Sequence, residues 1–246
     1  MTFERVTAGT GIAAEPGPAT RPGESISTAE VSPAMRLQIL STEHWSLLAS
    51  RSLAWNESFS RAGMFLSTLS GAIVALALVA QASAFGEGFT LFALVILPIV
   101  LFIGVATVTR LGVANYHEAM CVIGMNRIRA AYLELAPDLA RYFVMSAHDD
   151  PRGIGITMGV QPGGAISWIG QIIAGTPTVV MIINSALAGA IAAIAALRFR
   201  ASPSGILVAG AVGFLLGLAA QGWYARQSIA KGQAGYRPMF PTPEGE

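Results

Sequence analysis

Four stretches of the chain run for about twenty residues without a charged side chain: 62–82, 88–109, 178–197 and 205–225. A helix needs about 20 apolar residues to cross about 30 Å of hydrocarbon. The four stretches therefore predict an all-α membrane protein with four transmembrane helices. Charged residues make up only 12% of the chain, against about 25% in an ordinary soluble domain. A fold so poor in charge takes lipid as part of its solvent.

The stretches fall into two hairpins. Residues 61–110 form the first, with spans at about 62–82 and 88–110 joined by the short link from Ser83 to Glu87. Residues 178–226 form the second, with spans at about 178–197 and 205–225 separated by Ser202, Pro203, Ser204 and Gly205. Pro98 lies inside the second span, where it removes one backbone hydrogen bond and predicts a kink.

The polar segments between and before the hairpins are also helical in pattern. Ser32 followed by Pro33 is a start signal, a capping hydroxyl before proline at the first helical position. Leu37, Leu40, His44, Leu47, Leu48, Trp55 and Phe59 then recur at three- and four-residue spacing. Residues 32–60 read as a cytosolic amphipathic helix that lies on the membrane or packs on another helix. Residues 111–152 carry a second stripe through Cys121, Met125, Ile128, Tyr132 and Leu135, interrupted or ended by Pro137. The second span is expected to continue as a helix into water. Residues 1–31 and 227–246, rich in Gly, Pro and polar residues, read as disordered tails. The N-terminal stretch lacks the basic start and apolar run of a secretory signal.

Residues 153–177 are the ambiguous part. Residues 153–164 contain five Gly and Pro162, poor helix material. Trp168 stands in the apolar stretch that follows. The segment reads as interfacial, or as re-entrant where protein or water surrounds its backbone. Counting positive charge sets the orientation. Five Arg precede the first span, four lie in 111–152, and Arg226, Lys231 and Arg237 follow the last span. Both termini and the middle segment are thus expected in the cytoplasm of a cell with this protein in its plasma membrane. Arg198 and Arg200 run against the rule.

Several function classes are excluded or disfavoured. A net charge of +1 with no Lys or Arg block gives no nucleic-acid footprint. Cys121, the only cysteine, permits neither an intrachain disulfide nor a thiolate cluster. No nucleophile elbow or phosphate-binding loop occurs. The chain is expected to be no enzyme and to carry no cofactor. His117-Glu118 with His148-Asp149-Asp150 is the best metal-ligand set, but without metal-site spacing. No span carries an ionisable residue in its interior, which disfavours proton-coupled transport. The intramembrane polar residues are Gln81, Thr107, Asn184, Ser185 and Gln221. Of these Asn184, Ser185 and Gln221 are the candidates for interhelical hydrogen bonding or for lining a path. Small residues four apart, at Ser67, Gly71 and Ala75 and again at Ala209, Gly213 and Gly217, are candidate helix-packing motifs.

The stretches Arg36–Leu40, Glu43–Leu48, Trp55–Glu57 and Arg61–Leu66, with Gly124–Arg127 and His148–Asp150, resemble a group of small actinobacterial multi-pass integral membrane proteins. The resemblance spans most of residues 35–230. It implies an inner-membrane location and supplies no catalytic residues. The layout alone, a cytosolic helix before a two-span hairpin and a long helix, is similar to SLATT-type modules thought to form pores. Three readings follow: a self-associating assembly protein whose segments 33–60 and 111–136 pack together, a channel or transporter with a path near 160–184, and a membrane-embedded metal enzyme.

Overall fold

The structure is a computed structural model and describes residues 31–159 and 175–243. Among these residues it is all-α, with four helices long and apolar enough to cross a membrane. Helix α1 is Pro33–Ser83 and α2 is Glu87–Leu135. A 3-10 helix, Pro137–Tyr142, and the short α3, Pro151–Thr157, follow. Helices α4, Thr176–Arg198, and α5, Pro203–Gln233, complete the chain. The expected spans lie inside α1, α2, α4 and α5.

Ser32 caps α1 as its sequence predicts, with Oγ accepting from Met35 N at 3.3 Å. Residues 32–60 and the first span then differ from expectation, because they are one helix of 51 residues. Only Gly63 lies near the join, and a single glycine costs about 1 kcal/mol without ending a helix. At 1.5 Å per residue α1, with its 51 residues, is about 76 Å long, so about 46 Å stands beyond a hydrocarbon core of about 30 Å. Residues 33–60 thus take the second of their two readings and pack on a helix. That helix is α2, 49 residues long and continuous through Pro98. Leu47 lies where a Cβ at Gly124 would overlap it, and Arg51 pairs with Glu118 at 2.9 Å.

The α1–α2 turn is tight. Ala84 and Phe85 both take left-handed φ, at 47° and 58°. Phe85 N donates to Ala80 O at 3.1 Å, which satisfies one of the carbonyls orphaned at the helix end.

Helix α2 is the centre of the molecule, with α1 packed on one side and α4 on another, and α5 packs chiefly on α4. Phe65, Ala72, Ala93, Leu97, Val100, Val108, Leu111, Val180 and Leu187 form the buried core where α1, α2 and α4 meet. In lipid such contacts stabilise by close packing more than by expelling water.

The α4–α5 seam shows this directly. A Cβ at Gly213 would lie 2.8 Å from Ala192 Cβ, and one at Gly217 would lie 3.2 Å from Ala188 Cβ. Gly213 and Gly217 therefore serve as a packing motif within the chain. Ser67 and Gly71 do not. Both are exposed, and a Cβ at Gly71 would meet nothing within 4 Å. The α2-facing positions of α1 are instead Phe65, Leu69, Ala72 and Leu76.

Two further expectations are corrected. The tail 227–246 is not a disordered segment over its described part. Helix α5 continues to Gln233, and residues 236–242 are hydrogen-bonded to the rest of the chain. Residues 153–157, expected to be poor helix material, belong to α3. Asp150 caps it by accepting from Gly153 N at 3.1 Å, and Pro151 opens it. A Cβ at Gly153 would overlap the His148 carbonyl, so glycine permits the close turn there. The interfacial or re-entrant reading of 160–174 lies outside the described residues.

Candidate functional site

Two polar clusters and one cavity are the candidate sites. The first cluster lies within the membrane-spanning part, between α4 and α5. Asn184 is fully buried, and its Nδ2 donates to Gln221 Oε1 at 3.1 Å. Gln221 Nε2 is 3.1 Å from Gly217 O, 3.4 Å from Met181 O and 3.4 Å from Ser185 Oγ. Ser185 Oγ donates to Met181 O at 2.7 Å. The three predicted residues are thus brought together, and they bond one another across the helix pair. Among the described residues Asn184 Oδ1 has no hydrogen-bond partner, and it rests on the backbone of Gly104, where a Cβ would overlap it. Phe65 closes the same spot from α1. Three helices therefore meet at Gly104 with no room for a side chain. Gln81 is exposed, and Thr107 turns its hydroxyl onto its own helix at Ile103 O.

The second cluster lies on the C-terminal half of α2, past its apolar stretch. Asn126 is fully buried there. Its Nδ2 donates to His148 O at 2.7 Å and Gly153 O at 3.3 Å. Its Oδ1 accepts from Arg129 at 2.6 Å and from Thr157 at 2.9 Å. One amide thereby ties α2 to the loop before α3 and to α3 itself.

Asp149 is the other hub and is likewise fully buried. Its carboxylate accepts from Arg127 Nε at 2.8 Å, Met239 N at 3.0 Å and Phe240 N at 2.8 Å. Its own N–H donates to Phe240 O, and its carbonyl accepts from the Tyr236 hydroxyl at 2.6 Å. Arg127 also lies over the Tyr236 ring, 5.8 Å from its centre. Thr242 donates to Asp150 at 2.8 Å.

Burial would raise the Asp149 carboxyl, but the two backbone amides and Arg127 outweigh it and lower it to about 2. A carboxylate held there is a poor proton acceptor near neutral pH. The arrangement is a clamp on the C-terminal segment. Nearby on α1, burial and then the charge of Arg129 lower His44 below its ordinary value, and its Nδ1 is buried without a hydrogen bond among the described residues.

The proposed metal-ligand set does not assemble. Glu118 is engaged by Arg51, Asp149 by Arg127 and the C-terminal segment, and Asp150 by the α3 cap. His117 is exposed on α2. Among the described residues no three His, Cys, Asp or Glu side chains are grouped to hold a metal. The clamp on residues 236–242 escaped sequence reasoning. Tyr236, Met239 and Phe240 interrupt the Pro-rich tail and were its only signal.

A cavity of about 270 Å³ lies between α1, α2 and the start of α4, walled by Trp55, Phe59, Leu111, Asn115, Glu118 and Pro177. Comparison with protein-family models, with curated proteins and with solved structures finds no match to this chain.

Proposed function

We propose that this chain is an assembly protein of the cell membrane that self-associates and carries no catalysis of its own. The carrying observation is the outer half of the α1–α2 hairpin. It is a two-helix stalk in water, braced by Asn126 and Asp149, yet it exposes Trp45, Leu48, Trp55 and Phe59 on one side of α1. Large apolar side chains clustered on an aqueous helix mark a surface that another molecule covers. A base hydrogen-bonded at Asn126 and Asp149 fits a binding surface better than a moving part.

Positive charge supports placing both chain ends and the stalk in the cytoplasm. The channel reading has less support. Asn184, Ser185 and Gln221 hydrogen-bond one another across α4 and α5, as polar residues in lipid commonly do, with only Asn184 Oδ1 left over among the described residues and packed on Gly104.

The test is the mass of the chain in lipid nanodiscs by native mass spectrometry. A multiple of 25.6 kDa is expected. A single chain at every protein concentration, with no bound partner, would overturn the proposal.

A further inference from the structure

One face of α1 carries information about the partner itself. Trp45, Leu48, Ser52, Trp55 and Phe59 follow one another at alternating spacings of three and four residues, and after a further step of four Gly63, Leu66, Ser70 and Ile73 continue on the same side of the helix. Trp45 is 67% exposed, Leu48 40%, Trp55 47%, Phe59 60% and Leu66 44%. A Cβ at Gly63 would meet nothing within 4 Å. The Trp55 and Phe59 rings stand 5.6 Å apart and support each other.

No charge interrupts this face. At about 100° per residue, Arg36, Glu43, Glu57 and Arg61 fall on other sides of α1. Arg51 turns into α2 and bonds Glu118. Alternating threes and fours, as from Trp45 to Phe59, are the seam of a left-handed two-helix coil, and the two successive fours from Trp55 to Gly63 are a stutter that locally unwinds it.

We infer that a second copy of this chain covers this face, with its α1 parallel and in register, a reading that rests on self-association as proposed above. The apolar stripe passes, through one stutter at Phe59–Gly63, from the aqueous half of α1 into the membrane half. A water-soluble partner would cover only the part before Phe59, and lipid only the part beyond Gly63. An occupant of the whole seam must cross the membrane at the same level with the same spacing. A second α1 meets both conditions. Copies inserted in the same direction present it parallel, about a two-fold axis along the membrane normal.

The area is also of the right order. Aromatic side chains offer about 150–250 Å² each. The exposed parts of the three rings with Leu48 and Leu66 then give on the order of 500 Å² per copy, over half of the ~800 Å² per partner of a standard interface. The membrane half of the seam adds to it.

The experiment is disulfide cross-linking of the full chain in membranes, with Cys121→Ala as background. Ser52→Cys and Ser70→Cys lie on the seam, one in each half. Ser46→Cys lies well round the helix and is exposed. Both seam variants are expected to give at least about tenfold more covalent dimer than Ser46→Cys under mild oxidation. Equal or greater linkage at Ser46→Cys, or none at Ser52→Cys and Ser70→Cys, would overturn the inference. An oligomeric mass without seam linkage removes this face and leaves self-association standing, whereas a monomeric mass removes both.

Discussion

Replacing Asp149 with alanine tests the clamp on the C-terminal segment. The substitution strands Arg127 and the N–H groups of Met239 and Phe240, all of which donate to the lost carboxylate. Removing one partner of a buried ion pair costs about 3–5 kcal/mol. Arg127 keeps 34% of its side chain in water, so solvent takes up part of that charge and the low end applies. About 3 kcal/mol is somewhat more than a hundredfold in the docking equilibrium. The bond from Asp149 N to Phe240 O and the Tyr236 hydroxyl bond survive the change, so docking is weakened without a direct loss elsewhere. Amide hydrogen exchange reads this site by site. Exchange at Met239 and Phe240 is expected to quicken by about a hundredfold, with α1 and α4 unchanged. Unchanged protection at 239–240, or an equal loss in α1, would refute the reasoning. The pH dependence has a definite sign. The carboxyl is lowered from 3.8 to about 2 in the folded chain, so its contribution is full above about pH 4 and is lost as pH falls through 2.

Other substitutions probe the remaining contacts. Gly213→Ala places a methyl 2.8 Å from Ala192 Cβ and 2.9 Å from Ala188 O; it is expected to cost about 1–3 kcal/mol and to lower the melting temperature in detergent, while Gly71→Ala, whose methyl meets nothing within 4 Å, is expected to be neutral or to stabilise by up to about 1 kcal/mol. Asn184→Ala loses one interhelical hydrogen bond and is expected to cost about 1 kcal/mol. Gly104→Ala is expected to cost more, and the double variant less than the sum, because removing Asn184 Oδ1 clears part of the space; additive losses in detergent unfolding would contradict this. His44 is lowered by burial and by Arg129, so the α1–α2 stalk is expected to lose stability as pH drops below 6.5, where the unfolded chain takes up the proton first. His44→Gln should flatten that slope in exchange measurements on residues 36–50.

The spans were legible because lipid imposes a length and forbids charge, and both can be counted in a sequence. The stalk was half legible. The stripe of Leu40, His44 and Leu47 announced a packing helix, but its union with residues 62–83 depends on the absence of a strong breaker, which no periodicity reports. The packing motifs show where local pattern stops being informative. Ser67/Gly71 and Gly213/Gly217 have the same spacing, and only the second pair is covered, because α4 brings Ala188 and Ala192 against it. Asn184, Ser185 and Gln221 were identified as residues, and their convergence depended on the α4–α5 register. The Asp149 clamp joins residues about 90 apart in the chain. A contact of that range is set by the path of α5 past Tyr116 and leaves only Tyr236, Met239 and Phe240 as a trace among prolines.

The central claim is that residues 33–60 of α1 form a stalk in water rather than a helix on the lipid surface. Spin labels at Thr42 and Ala49, and at Thr68 and Leu78, all exposed on α1, would measure it in the Cys121→Ala chain reconstituted in bilayers, by collision with oxygen and with a water-soluble nickel complex. The account predicts that the nickel complex reaches Thr42 and Ala49 freely, while Thr68 and Leu78 collide chiefly with oxygen. Oxygen-dominated, lipid-like collision at Thr42 and Ala49 would contradict it.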